Sequence, residues 1–328
     1  MAVSLLSADI HPDLTEYVLK LLMKNKITTV LDFAKTDTDR LIRITNLSFE
    51  EISAIKSNLI NSYSGNNIQV VEYFRYLNEL IEPISTGIRG LDLLLEGGLL
   101  PGQVLEVCGE SGSGKSQLCT SLAINIAQKQ KLDVFYCDTK SDFSARRVHR
   151  ILTLRNCTNQ EIQETMKRVK VERIFSPEIL IECMENILDQ IDNLETLKVI
   201  IIDSLPALWY MHQNSKSNCY PLGMLTRLVG LLRKLSSESL IAIVVVNLQV
   251  RSSDYLAQNS TRRTIHSKGV TTYPALGKFW ETAPTTRILL SKLNNSSTGY
   301  ERLLSIWKCN YLRTGDRQMI TITEGGTV

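Results

Sequence analysis

The run Gly109-Glu110-Ser111-Gly112-Ser113-Gly114-Lys115-Ser116 constrains this chain more than any other stretch. It fits G-x-x-x-x-G-K-[ST], and its flanks supply the context that pattern needs. Gln103 to Cys108 in front is apolar enough for a buried strand. Gln117 to Lys129 behind carries Leu118, Leu122 and Ile126 at helical spacing. Strand, glycine turn and helix start aim successive backbone N–H groups into one concavity, where the helix N-terminus adds partial positive charge. The spacing therefore predicts a phosphate cradle. Its expected nucleotide contacts are Gly109, Glu110, Ser111, Gly112, Ser113, Gly114, Lys115, Ser116 and Gln117. Lys115 is expected at the β- and γ-phosphates of ATP and the Ser116 hydroxyl on Mg²⁺. A Gly/Ser-rich surface loop is the bland alternative, and both flanks and the Lys-Ser pair weigh against it.

A second element agrees. Val199-Ile200-Ile201-Ile202-Asp203-Ser204 is an apolar run that ends in a carboxylate. An Asp at the carboxyl end of a buried parallel strand lies where open α/β sheets bind ligands. In P-loop proteins such an Asp holds the magnesium ion, directly or through water. Many strands end in Asp; the upstream cradle makes Ser116 and Asp203 the expected metal ligands.

Apolar runs alternate with helical stretches along most of the chain. Strands are expected at 103–108, 133–138, 197–202, 241–246, 286–290 and 303–307, with helices at 116–129, 143–154, 177–191 and 222–237. The alternation predicts an α/β domain over 83–328, a mostly parallel sheet flanked by helices. Residues 1–63 read instead as a small all-helical domain. Leu14, Val18, Leu21 and Leu22 make one stripe, Val30, Leu31 and Phe33 are expected inward on a second short helix, and Thr38 to Ile44 is a third. Ser48 with Glu51 is a capping box opening the fourth, which buries Ile52, Ile55 and Leu59. Residues 64–82 are the linker. Within it Ile68 to Phe74 reads as a short exposed strand, one that adds to a neighbour's sheet edge or packs on its own core.

Composition narrows the class. Hydrophobic residues at 43% and charged residues at 22% leave material for a sizeable core. No apolar run reaches the ~18 residues of a membrane span. Met1 to Asp13 lacks the basic start and long apolar core of an export signal. The 7 cysteines form no C-x-x-C pair, so they read as core residues in a reducing compartment. A net charge of +3 is too small to argue for nucleic acid, and the distribution matters more. Arg251, Arg262, Arg263, Lys268 and Lys278 stand against Asp254 in one long polar stretch. A loop of that size in a compact domain is usually functional. Its cations would neutralise phosphates, and Tyr255 or Tyr273 would stack on a base; a solvated loop is the alternative. Arg146, Arg147 and Arg150 on one helix read as a solvated face.

Several stretches converge on one family. Pro83-Ile84-Ser85-Thr86-Gly87-Ile88-Arg89-Gly90-Leu91-Asp92, followed by Leu94-Leu95-Glu96-Gly97-Gly98, resembles the entry to the ATPase core of RecA-like recombinases. The helical domain in front, the P-loop, the Asp203 strand, Pro274-Ala275-Leu276-Gly277-Lys278 and Thr285-Thr286-Arg287-Ile288 are similar to the eukaryotic Rad-fifty-one branch. With Phe279-Trp280 and Leu289-Leu290 added, the pattern looks most like the D-type paralogues. The resemblance covers essentially the whole chain. It implies a nuclear ATP-binding protein of homologous-recombination repair of double-strand breaks. It implies two loops that bind single-stranded DNA, the first in Trp209 to Tyr220 and the second in Val250 to Tyr273, with Arg251, Arg262, Arg263 and Lys268 as contacts. It implies a hetero-oligomer of recombinase paralogues that supports the main recombinase filament. B-type, C-type and X-ray-repair-type paralogues are the implied partners, the C-type on the ATPase core and the X-ray-repair type on the N-terminal domain. Filament-forming relatives dock a Phe-x-x-Ala segment on the neighbouring core; the matching positions here are Ile68 and Val71, with Phe74 further on.

The chain departs from an active ATPase at two places. In active recombinases the strand after the P-loop helix ends in Asp-x-Glu, whose Glu activates the attacking water. The matching run here is Asp138-Thr139-Lys140. A lysine stays charged near neutral pH and cannot accept that proton. In Val246-Asn247-Leu248 the relatives carry Gln in the third place to sense the γ-phosphate; here it is Leu248, with Gln249 adjacent. The expectation is ATP binding with weak DNA-dependent hydrolysis. The alternatives are a stand-alone DNA-dependent ATPase with strand-exchange activity and a small-molecule kinase, for which the sequence shows no arginine-bearing lid.

Overall fold

A computed structural model of the chain describes residues 5–8, 10–63, 69–71, 81–210, 219–251, 272–293 and 300–328. The chain divides into two compact units, Met1–Leu77 and Asn78–Val328.

The first unit is helical: α1 (Glu16–Lys24), α2 (Val30–Lys35), α3 (Thr38–Thr45) and α4 (Phe49–Tyr63). Its core gathers Leu14, Val18, Leu22, Val30, Phe33, Leu41, Ile52, Ile55 and Leu59. The capping box at the head of α4 is formed: Glu51 Oε2 accepts from Ser48 N at 2.7 Å, and Ser48 Oγ accepts from Glu51 N at 3.2 Å. A second one, Thr29 with Asp32, starts α2 and was not anticipated. Leu31 is not inward: it is 54% exposed. Val30 and Phe33 lie three apart and share a helix face, so the residue after Val30 turns away from it.

The second unit carries eleven strands among the described residues. They are β1 (Val104–Cys108), β2 (Asp133–Asp138), β3 (Val169–Arg173), β4 (Leu197–Asp203), β5 (Ala242–Val246), β6 (Gln249–Arg251), β7 (Thr272–Pro274), β8 (Thr286–Lys292), β9 (Glu301–Lys308), β10 (Arg317–Thr323) and β11 (Gly326–Thr327). Nine of them make one sheet in the order β11-β10-β9-β8-β1-β5-β4-β2-β3, and β6 pairs with β7 apart from it. From β8 to β3 the pairings are parallel; β8 to β11 is an antiparallel extension. The expected α/β sheet is present, with β3, β10, β11 and the β6–β7 pair beyond those anticipated. β3, Val-Lys-Val-Glu-Arg, is largely exposed at the sheet edge, and β10 alternates polar and apolar residues. Neither resembles the continuous apolar run of a strand covered on both faces.

Side chains alternate across the sheet. Leu105, Val107, Tyr136, Ile201, Val244 and Val246 face the core that includes the helix Lys115–Asn125. Val104, Cys137, Ile200, Ile202, Ile243 and Val245 face the helices Pro177–Asp189 and Cys219–Ser239. The helix Lys115–Asn125 is buried nearly all round, so its polar side chains need partners. Thr120 Oγ1 donates to Ser116 O at 2.8 Å and Asn125 Nδ2 to Thr86 O at 2.9 Å.

Candidate functional site

The parallel strands β1, β4 and β5 are neighbours, so the segments that follow them open on the same edge of the sheet. That edge brings together Gly109–Ser116, Asp203 and Leu248.

β1 is buried along its whole length and delivers the glycine turn from between β5 and β8. Gly109 must lack a side chain, because a Cβ there would run into the carbonyl oxygen of Leu290 in β8. Gly114 must too: its φ is +107°, and its Cβ would meet Ile322 of β10. The turn is thus wedged between the parallel core and the antiparallel extension. Arg302 Nε of β9 donates to Ser113 O at 2.9 Å, which fixes the loop from outside. The Lys115 ammonium donates to Gly109 O and Glu110 O, each at 2.8 Å. Burial pulls its pKa down, helped by the nearby Lys140 charge. Ser113 Oγ is buried with no hydrogen-bond partner among the described residues. A cleft of about 480 Å³ opens beside the loop, lined by Gly112, Lys115, Ser116, Lys140, Tyr210 and Leu248. That volume is within the range of small-molecule sites.

Asp203 ends β4 and is 2% exposed. Tyr136 OH, on neighbouring β2, donates to its Oδ2 at 2.8 Å. Burial and the Asp203 charge hold the Tyr136 phenol well above its ordinary pKa, so it remains a donor. Among the described residues Asp203 Oδ1 receives no directed hydrogen bond; the Lys140 ammonium lies 3.2 Å from it as an ion pair. The same ammonium is 3.3 Å from Ser116 Oγ and 3.5 Å from Asp142 Oδ2. Ser116 and Asp203 are therefore brought together as the sequence suggests, with the side chain of Lys140 between them. As oxygen donors they suit a magnesium ion, but the point they share is taken by an ammonium. With Lys140 so placed, the pair does not fit a divalent cation. Among the described residues no cluster of three or more His, Cys, Asp or Glu side chains offers a metal site.

Asp138 is 1% exposed and fully engaged. Its Oδ1 accepts from Lys140 N and Asp142 N, each at 3.2 Å, and its Oδ2 from Phe143 N at 3.0 Å. Those bonds shape the turn that presents Lys140, so this carboxylate is not free to act as a base.

Behind the cradle lies a polar cluster that no motif announces. Glu106, fully buried in β1, accepts from Arg287 Nε and Asn247 Nδ2, and from Trp280 Nε1 at 2.8 Å. Asn247 also donates to Ala275 O at 3.1 Å. The Pro-Ala-Leu-Gly-Lys-Phe-Trp and Thr-Thr-Arg stretches thus meet on one carboxylate.

The remaining expected site residues fall differently. Arg251 is placed as the last residue of β6, opposite Thr272. Arg262, Arg263, Lys268 and Tyr255 lie outside the described residues, as does most of the first loop. Trp209 of that loop is buried and donates to Pro221 O at 3.0 Å. Ile68 and Phe74 are also outside. Val71 is exposed, and Val70 and Val71 have helical backbone where a strand was expected. Of the basic patch on 145–154, Arg147 donates to Glu324 O at 2.7 Å and Thr323 O at 3.0 Å, and Arg150 pairs with Glu324 at 2.7 Å. Those two arginines latch the β10–β11 turn. Arg302 and Ile322, which hold the cradle, were missed: they sit on half-exposed alternating strands with no motif around them.

Comparison with known proteins gives two family matches, Rad51 over residues 78–327 and "RAD51D, N-terminal domain" over residues 3–61. The chain is 29% identical to "DNA repair protein RAD51 homolog 4" of Mus musculus, over 98% of this chain and 96% of the mouse protein. It is 27% identical to the Bos taurus protein of that name over the same shares. It is 26% identical to "DNA repair protein rhp51" of Schizosaccharomyces pombe, over 72% of this chain and 61% of the yeast protein.

Proposed function

Since the chain belongs to the Rad51 family and carries a RAD51D-type N-terminal domain, we propose that it is an ATP-retaining recombinase paralogue of DNA repair. It holds the nucleotide without breaking it efficiently and works as an assembly part. The observation that carries this reading is Lys140: its ammonium sits 3.2 Å from Asp203 where active relatives place a carboxylate base.

Each part of the site has a task in this account. The backbone amides of 109–116 and the Lys115 ammonium bind the phosphates. Tyr136 orients Asp203. Asp138 spends its carboxylate on the turn before Lys140, and Leu248 gives the cleft wall an apolar group where a γ-phosphate sensor is expected. Loss of a positioned general base typically slows hydrolysis by ~10²–10⁴-fold. Magnesium, which the family generally uses with ATP, would be met by Ser116 and Asp203 only if Lys140 withdrew.

The assembly role extends the same reading. The chain joins a hetero-oligomer of paralogues in the nucleus, binds single-stranded DNA through Arg251, Arg262, Arg263 and Lys268, and supports the main recombinase filament. A C-type paralogue meets the ATPase core and an X-ray-repair-type paralogue the N-terminal domain. Tyr17, Met23, Leu31, Phe49 and Ile60 are more than half exposed on that small domain, which suits a docking role.

The test is to purify the chain with its co-purifying partners and analyse the bound nucleotide. Retained ATP with turnover far below that of an active recombinase is the expected result. Turnover equal to an active recombinase, or long DNA filaments assembled by this chain alone, would overturn the reading.

A further inference from the structure

One cation is built into the site. Lys140 Nζ lies 3.3 Å from Ser116 Oγ and 3.2 Å from Asp203 Oδ1, the two oxygens expected to share a metal ion. The backbone that carries this lysine is fixed. Its backbone N–H donates to Asp138 Oδ1, and Asp138 also gathers the N–H groups of Asp142 and Phe143. The turn is therefore pinned on a buried carboxylate, and the side chain is aimed back over the P-loop helix.

Lys140 is paired with the buried Asp203 at 3.2 Å and with the exposed Asp142 at 3.5 Å. Asp203 has one oxygen committed to Tyr136 and one facing Lys140. A divalent cation in the same place would add two positive charges beside Lys140 and Lys115. It would also have to displace an ammonium already at contact distance. Magnesium sheds its water reluctantly and demands near-octahedral oxygens. A lysine ammonium is a compact point charge with three rotatable donors, suited to phosphate oxygens.

Resting on the ATP-site reading above, we propose that Lys140 is a tethered replacement for the divalent cation. The site then takes the uncomplexed nucleoside triphosphate, with Lys115 and Lys140 as its two cations, and retention does not require magnesium.

The experiment is nucleotide binding by the full chain, stripped of nucleotide, measured by calorimetry with ATP in excess Mg²⁺ and in excess EDTA. The native chain should bind ATP at least as tightly in EDTA as in Mg²⁺, because excess Mg²⁺ holds most of the ATP as its complex. Lys140→Ala and Lys140→Gln should lose about tenfold or more in EDTA and recover most of it in Mg²⁺. Lys140 is partly exposed, so neither change removes core packing. Native binding that collapses by tenfold or more in EDTA overturns the inference and leaves the ATP site standing. Variants that bind in EDTA as the native chain does also overturn it. Failure of the native chain to bind under either condition removes the ATP site itself.

Discussion

Tyr136 OH donates to Asp203 Oδ2 at 2.8 Å, across two adjacent parallel strands and within the buried core. Tyr136→Phe deletes that donor and leaves a carboxylate that is 2% exposed one hydrogen bond short. The cost should be about 1–3 kcal/mol. A urea-unfolding midpoint lowered by that amount, with an unchanged slope, is the expected measurement.

Lys115→Ala should abolish nucleotide retention and leave the fold intact. Among the described residues the ammonium donates only to carbonyls of its own loop. Calorimetry should show no ATP binding while far-UV circular dichroism matches the native chain.

Lys140→Glu puts a carboxylate where active relatives have one and removes the cation facing Asp203. Two acidic groups would then share the position, so ATP binding should become dependent on Mg²⁺. Turnover should rise, by up to ~10²-fold as part of the general-base contribution returns. A phosphate-release assay across a magnesium series checks both.

The Glu106–Arg287 pair is buried on both sides, at 0% and 5% side-chain exposure. Arg287→Ala strands Glu106 without its counter-ion and should cost about 3–5 kcal/mol. Because Glu106 sits in β1, the loss should appear in global unfolding rather than as local loosening of the cradle; hydrogen exchange of the β1 amides distinguishes the two.

Glu51 is held below its ordinary pKa by the Ser48 backbone N–H first and the Ser48 side chain second. A carboxyl depressed in the folded state contributes stability above its unfolded pKa and loses it as pH falls through the folded one. The helical unit should therefore weaken below the ordinary glutamate range, and Ser48→Ala should flatten that acid dependence. Thermal melts of the full chain from neutral pH down to below the ordinary glutamate range read it.

The P-loop, the Asp203 strand and the α4 capping box were legible because each is a local rule. Glycines at set spacing, an apolar run ending in a carboxylate, and a Ser with Glu three residues on carry their geometry with them. β3, β10 and the residues that brace the cradle were not, because edge strands and antiparallel extensions are half polar. Their side chains look like any solvated surface until the partner strand is known. Leu31 was misplaced for a similar reason, since a helix of 6 residues gives too little periodicity to choose a face.

The amino-acid order by itself determined that a glycine turn of P-loop pattern follows a buried strand, that Asp203 closes a second one, and that position 140 carries a cation. Only the tertiary structure decided where that cation goes. Residues 116, 140 and 203 come from separate segments, and their 3.2–3.3 Å contacts exist because parallel pairing sets β4 beside β2, opposite the P-loop helix. Distances between segments are set by packing, which no local spacing encodes, and on those distances rests whether the site takes a metal ion or its own lysine.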